Sequence, residues 1–146
     1  MLIDALTNSG PLPTLELSMR FAAQRQRLVA HNIANIDTPD FRPFDASPRG
    51  FQDTLREAID DRRARTGGLH GELRFKPTSE LELDGAGELR INPRTPSTGV
   101  LFHDRNNRDV ERLMQALAET TGAFRAASDL YRAHVNILNT AISERV

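Results

Sequence analysis

The stretch LELSMRFAAQRQRLVAHNIANI, Leu15 to Ile36, decides the fold. Leu15, Met19, Ala22, Gln26, Val29, Ile33 and Ile36 recur at alternating spacings of four and three. That is the seam of an amphipathic helix, with Phe21 and Leu28 widening one side and Gln26 as its single long polar side chain. The outward face carries Arg20, Arg25 and Arg27. A breaker cluster, Ser9-Gly10-Pro11-Leu12-Pro13-Thr14, precedes the run, and Pro39 disfavours helical geometry at Thr38. The spacing therefore predicts a helix from about Thr14 to Asn35.

A second, longer stripe closes the chain. Val110, Leu113, Leu117, Thr120, Phe124, Ala127, Tyr131, His134, Leu138 and Ala141 keep the same rhythm, with Met114, Leu130, Ile137 and Ile142 beside them. No proline interrupts it; Gly122 is its weak point. Asn107 or Asp109 is placed to cap its start, and Glu111 suits the positive end of the helix dipole. The expected fold is mainly α: long N- and C-terminal helices packed as an antiparallel coiled-coil-like pair, around a partly irregular middle with a short helix and short β-strands.

Three segments follow: 1–39 with the first helix, 40–103 as a variable middle, and 104–146 with the last helix. The middle holds Pro43 and Pro48, then a predicted helix from Phe51 to about Arg65 with Phe51, Leu55, Ala58 and Ile59 on one side, ended by Gly67-Gly68. From Leu69 to Ile91 the pattern switches to period two: Leu73 and Phe75, Leu81 and Leu83, Leu89 and Ile91. Asp84-Gly85-Ala86-Gly87 is a hairpin turn between the last two pairs. This middle has few evident anchors and is expected to be mobile in the free monomer. Stripe periodicity alone does not separate an intramolecular hairpin from packing between copies.

Composition narrows the function. The chain has 146 residues, 38% apolar and 5% aromatic, with no Trp, a thin supply for a compact core. Its net charge of −1 lacks the basic excess of a nucleic-acid binder. Arg62-Arg63-Ala64-Arg65 lies beside Asp60-Asp61, a balanced charged face with no aromatic residues to stack on bases. There is no cysteine, which removes disulfides, thiolate metal sites and cysteine nucleophiles. His31, His70, His103 and His134 are far apart, and none has a metal-ligand partner at helical spacing. Phosphate-loop and nucleophile-elbow sequences are missing. No catalytic residue, cofactor or metal site is expected. Met1 to Pro13 lacks the charged and apolar regions of a cleaved signal peptide, and no apolar run reaches the length of a bilayer span, so no direct membrane insertion is expected.

The end of the first helix carries a motif. Asn32 and Asn35 are three apart, and asparagine there can satisfy free carbonyls at the helix end. The run Asn32-Ile33-Ala34-Asn35-Ile36-Asp37-Thr38-Pro39-Asp40-Phe41-Arg42 resembles the N-terminal signature of the bacterial flagellar rod, hook and hook-filament junction family. Asn32, Ile33, Ala34, Asn35, Thr38, Pro39 and Phe41 match its pattern. Arg20 to Leu28 is similar to the family's Ala- and Arg-rich helix, and Asn107 to Ala118 to the start of its last helix. Thr-Pro at Thr38-Pro39, the Phe51-Gln52-x-x-Leu55 segment and the short length most resemble the proximal rod member next to the membrane (MS) ring. The second short proximal rod protein is the nearest rival. His31 stands where the pattern has Asn, and Asp40 where it has Gly; a left-handed turn at Asp40 is easier for Asp than for most residues.

The resemblance implies a structural, non-enzymatic rod subunit of the basal body. It implies export through the flagellar type III apparatus without a cleaved signal, helical assembly through the terminal helices into the periplasmic rod, and transmission of torque from ring to hook. Implied partners are self copies, other rod proteins, the MS-ring protein, the ring-to-rod adaptor and the export apparatus. The implied assembly residues are the seven matching positions and a packing stripe of Met19, Val29, Ile33, Val110, Leu113, Leu117, Phe124, Tyr131 and Leu138. A reading from another class, a small helical-hairpin binding module or enzyme, would need a concave site lined by His31, His103 and His134.

Overall fold

The computed structural model describes residues 8–68, 70–84, 87–95 and 109–143. In chain order, helix α1 (Leu12–Ala34), helix α2 (Pro48–Thr66), strands β1 (Leu81–Leu83) and β2 (Leu89–Ile91) and helix α3 (Val110–Ser143) make up its regular structure. The three helices and the paired period-two segments are those expected from the sequence. α1 and α3 pack against each other. With 34 residues α3 is about 51 Å long against about 35 Å for the 23 residues of α1, so α1 cannot cover it end to end.

Local chemistry sets the element ends. Pro48 opens α2, where a missing N–H costs nothing, and the Ser47 hydroxyl accepts from the Gly50 N–H at 3.0 Å. Gly67 closes α2 at φ +76°, and its N–H donates to Arg63 O. Asp109 caps α3: its carboxylate accepts from the Arg112 N–H at 3.0 Å. Asn107, the other candidate cap, lies outside the described residues. β1 and β2 are antiparallel with Leu81 opposite Ile91 and Leu83 opposite Leu89. Asp84 N donates to Glu88 O, and the Asp84 carboxylate accepts from Glu88 N, closing the hairpin. Leu73 and Phe75 are buried but belong to no strand.

The core lies where the sequence offered few anchors. Leu17 and Phe21 of α1 meet Ala46, Phe51, Leu55, Ala58, Leu73, Phe75, Leu81 and Leu89 in one cluster. Eight of those ten residues come from the middle of the chain, and none from α3. Phe21 stacks on Phe51 with ring centroids 4.2 Å apart and planes 4° from parallel, and Phe75 tilts against Phe51 at 6.2 Å. Arg20 donates to Gly87 O at 2.6 Å, and Gln24 donates to Leu89 O, tying the same side of α1 to the hairpin backbone. α1 is thus covered on two sides. Leu17 and Phe21 face the core, whereas Ala22 and Val29 are buried outside that cluster.

Two arginines depart from the sequence reading. Arg25, assigned to the outward face, is buried at 7% exposure. Arg62, assigned to a solvated charged face, is 3% exposed; it donates to Asn8 O at 3.2 Å and His70 O at 3.4 Å. Burial lowers its pKa from the ordinary arginine value. Arg63 and Arg65 remain on the exposed face with Asp60 and Asp61. A single-stripe reading assigns charges to solvent, but both helices are covered over more than one stripe.

Replacing Phe51 with Ala removes the ring that bridges Phe21 and Phe75 and leaves a cavity. The expected loss is about 3–5 kcal/mol in a urea unfolding titration.

Candidate assembly surface

Arg25 and Asn32 are seven residues apart on α1, so they share one line along the helix. Both are buried. Arg25 grips Asp45 in a fork: Nε donates to Oδ1 and Nη2 to Oδ2, each at 2.9 Å. Its remaining nitrogen, Nη1, donates to Thr120 Oγ1 of α3 at 3.1 Å, and that hydroxyl donates back to Ala116 O at 2.7 Å. One guanidinium therefore joins α1, the α1–α2 connection and α3. The next residue, Gln26, donates to Thr121 of α3 at 3.4 Å, which makes the polar position of the seam a contact between the helices.

Asn32 closes the same connection. Its side-chain N–H donates to Phe44 O at 2.5 Å, and its side-chain oxygen accepts from Phe44 N at 3.0 Å. The carboxamide copies a backbone partner and satisfies both polar groups of Phe44. The next residue, Asp45, exchanges two backbone hydrogen bonds with Arg94, both at 3.0 Å. Asp45 is therefore held by Arg25 through its carboxylate and by Arg94 through its backbone.

The motif divides into an inner and an outer part. Asn32 is inside. Asn35 ends α1, and its side chain donates to His31 O at 2.8 Å, a carbonyl that also accepts from the Asn35 backbone N–H at 3.2 Å. Its φ of −107° is not left-handed; the left-handed residue is Asp40, at φ +58°. Phe41 N donates to Thr38 O at 3.2 Å across Pro39 and Asp40, a type II-like turn with proline at its second position and a positive φ at its third. The turn presents Phe41 edge-on to His31, centroids 5.7 Å apart, and to Phe44 at 6.3 Å. Thr38, Pro39 and Asp40 are exposed, and Ile33 is half-buried.

The stripe residues separate by depth. Val29 is buried; Met19, Leu113, Leu117, Phe124, Tyr131 and Leu138 are half-buried; Val110 is 47% exposed. Of the six large hydrophobic side chains exposed among the described residues, five lie on α3: Val110, Met114, Leu130, Ile137 and Ile142. A cleft of about 320 Å³ opens between the helices, with Phe21, Ala22, Phe51, Leu55 and Ala123 in its lining and Arg25 at one side. Among the described residues no cluster of His, Asp or Glu could hold a metal ion, and no helix is long and apolar enough to cross a membrane. His31 and His134 lie outside the cleft lining, and His103 lies outside the described residues. The arrangement offers interlocking helices and exposed apolar side chains.

Sequence reasoning missed Asp45, assigned Arg25 to solvent, and placed Thr120 on the α3 stripe without its hydrogen bond to Arg25. Their one signal is the seven-residue spacing between Arg25 and Asn32, which places two polar side chains on one line between the apolar faces.

No family model matches the chain. It is 28% identical over 123 residues to the flagellar basal body rod protein FlgB of Borrelia hermsii, a match covering 81% of this chain and 84% of that protein. This similarity supports the rod protein family.

Asn32→Ala leaves the part-buried backbone groups of Phe44 without their partner and removes two hydrogen bonds, and about 1–3 kcal/mol of stability is expected to be lost in a urea titration. Asp40→Val forces a β-branched residue into the left-handed region, and thermal unfolding should register a loss of about 1–2 kcal/mol, which Asp40→Gly avoids.

Proposed function

We propose that this chain is a structural subunit of the bacterial flagellar basal-body rod, in its proximal part next to the membrane ring, and performs no catalysis. It assembles helically through its terminal helices and transmits torque from ring to hook. The observation that carries this reading is the distribution of apolar surface on α3. One face rests on α1, while Val110, Met114, Leu130, Ile137 and Ile142 lie open to solvent. A long helix with so much uncovered apolar surface is suited to further packing against neighbours. The similarity to a flagellar basal body rod protein, which covers 81% of this chain, supports the rod as the place where that packing occurs.

The proposed partners are identical copies, other rod proteins, the MS-ring protein with its ring-to-rod adaptor, and the flagellar export apparatus. The proposed location is the periplasmic rod, reached without a cleaved signal peptide. In the Asn32–Phe41 motif, Asn32 acts within the subunit by holding the α1–α2 connection, and Thr38, Pro39 and Phe41 form the corner offered to neighbours. Met19, Val29, Ile33, Leu113, Leu117, Phe124, Tyr131 and Leu138 form the seam, with Val110 at its rim.

Leu117→Asp or Phe124→Asp puts a charge into the half-buried seam. Loss of motility and of the protein from isolated basal bodies is expected in each variant, scored by swimming in soft agar and by immunoblot; wild-type flagellation with either variant would overturn the reading.

A further inference from the structure

The cleft between the three helices is walled by Phe21 and Ala22 of α1, Gln52 and Leu55 of α2, and Glu119 and Ala123 of α3. Two of these walls continue beyond it. On α2 the line of Gln52 and Leu55 runs on, at spacings of four and three, to Ile59 and Arg62. On α3 the line of Ala123 runs on, at spacings of seven, to Leu130 and Ile137, which are 55% and 62% exposed. Both lines lead toward the start of α1. α2 runs against α1, because Phe51 stacks on Phe21 whereas Arg62, two to three turns later, donates to Asn8 O. α3 also runs against α1. Its covered positions continue to Leu138, eighteen residues past Thr120, but only nine residues of α1 follow Arg25, so that stretch of α3 lies back toward Leu12. The cleft is thus the inner end of a trough whose outer end is the point where Asn8 meets Arg62.

We propose that Met1 to Thr7, the seven residues that precede Asn8, turn back along this trough and close it as an apolar clasp. The length fits. Arg62 holds Asn8 O at 3.2 Å and is seven residues, about 10 Å, from Leu55 on the same line of α2. Seven residues span about 10 Å as a helix and about 24 Å extended, so the segment reaches the cleft in either form. The direction fits. Gly10 takes φ +56° just before α1, a conformation that breaks the line of the helix, and Arg62 draws Asn8 to the α2 side. The chemistry fits as well. Met1, Leu2, Ile3, Ala5 and Leu6 are apolar, with only Asp4 and Thr7 polar, and Leu2, Ile3 and Leu6 would share one helix face. They match a trough built from Phe21, Phe51, Leu55, Ala123 and Leu130, whose uncovered carbon surface is unfavourable in water. Val110, Met114 and Ile142 lie off this line of α3, so the clasp leaves them open to neighbours. The clasp needs one chain only and is independent of the rod assignment.

The chain has no cysteine, so introduced thiols report cleanly. Leu2→Cys is combined in the full-length chain with Leu130→Cys, or with Arg132→Cys, two residues on and on the other side of α3. Under mild oxidation at low concentration, the first pair should close a bond within one chain at least about tenfold faster than the second, because docking raises the effective concentration of one thiol at the other. Equal rates would overturn the clasp. So would a bond from Leu2→Cys to Leu130→Cys that forms only between chains, which would put a second copy in the trough. A second measurement leaves the segment unaltered. The single thiol of Leu130→Cys should be alkylated at least about tenfold more slowly than the same thiol in a chain that also carries Leu6→Asp, since modification must wait for the clasp to open. The thiol of Arg132→Cys should react at one rate with or without Leu6→Asp. No protection at Leu130→Cys, or an equal effect of Leu6→Asp at both positions, would overturn the proposal.

Discussion

The Arg25 guanidinium sits at the one point where three parts of the chain must agree. Its fork on Asp45 fixes where the connection after α1 turns back, and its third nitrogen reaches Thr120 of α3. A buried arginine is tolerable only when its charge is met and its donors are used, and here a carboxylate and a hydroxyl meet both needs. Removing either charged partner would strand the other. Asn32, one heptad later on α1, works on the same connection by pairing with both backbone groups of Phe44. Asp45 in turn pairs with Arg94 through its backbone, so the anchor extends to the segment beyond the hairpin. The rest of the fold depends on this pair of contacts for its alignment, and on apolar burial for its free energy.

α1 is accordingly a shared element. One face supplies Leu17 and Phe21 to the core formed with α2 and the hairpin, and another carries α3. Polar side chains line the boundary between the faces. Such a division suits a subunit that keeps a folded body and offers a long helix for packing. It also accounts for the low aromatic content. Three stacked or tilted phenylalanines, Phe21, Phe51 and Phe75, concentrate the aromatic burial in the body, and the fully buried residues of α3 are small.

The corner after α1 makes the same point on a smaller scale. Asn32 bonds inward to Phe44, Asn35 closes the exposed helix end on His31 O, and Thr38, Pro39 and Asp40 face solvent. His31, which departs from the family pattern, contributes a ring against Phe41. Asp40, the other departure, adopts the left-handed conformation at φ +58° that glycine would take more easily. Both departures are therefore accommodated within one turn.

Periodicity was sufficient for the elements. The three/four rhythm of Leu15 to Ile36 and of Val110 to Ala141, the period-two pairs Leu81–Leu83 and Leu89–Ile91, and breakers such as Pro39 and Gly67 made the helices, the hairpin and their limits legible, because these signals act over a few neighbouring residues. The Asn32–Phe41 motif also carried the resemblance to flagellar rod proteins from the sequence alone. Tertiary structure decided which side of each element was covered. A single apolar stripe places Arg25 and Arg62 in solvent, yet both are buried because partners distant in the chain cover them: Asp45 and Thr120 for Arg25, Asn8 and His70 for Arg62. Likewise the core gathered around Phe51 instead of along the terminal seam, since Leu73, Phe75, Leu81 and Leu89 become neighbours of Phe21 only once the chain has folded back. Local spacing determines what an element is; which of its polar groups can be buried depends on what another part of the chain brings to meet them.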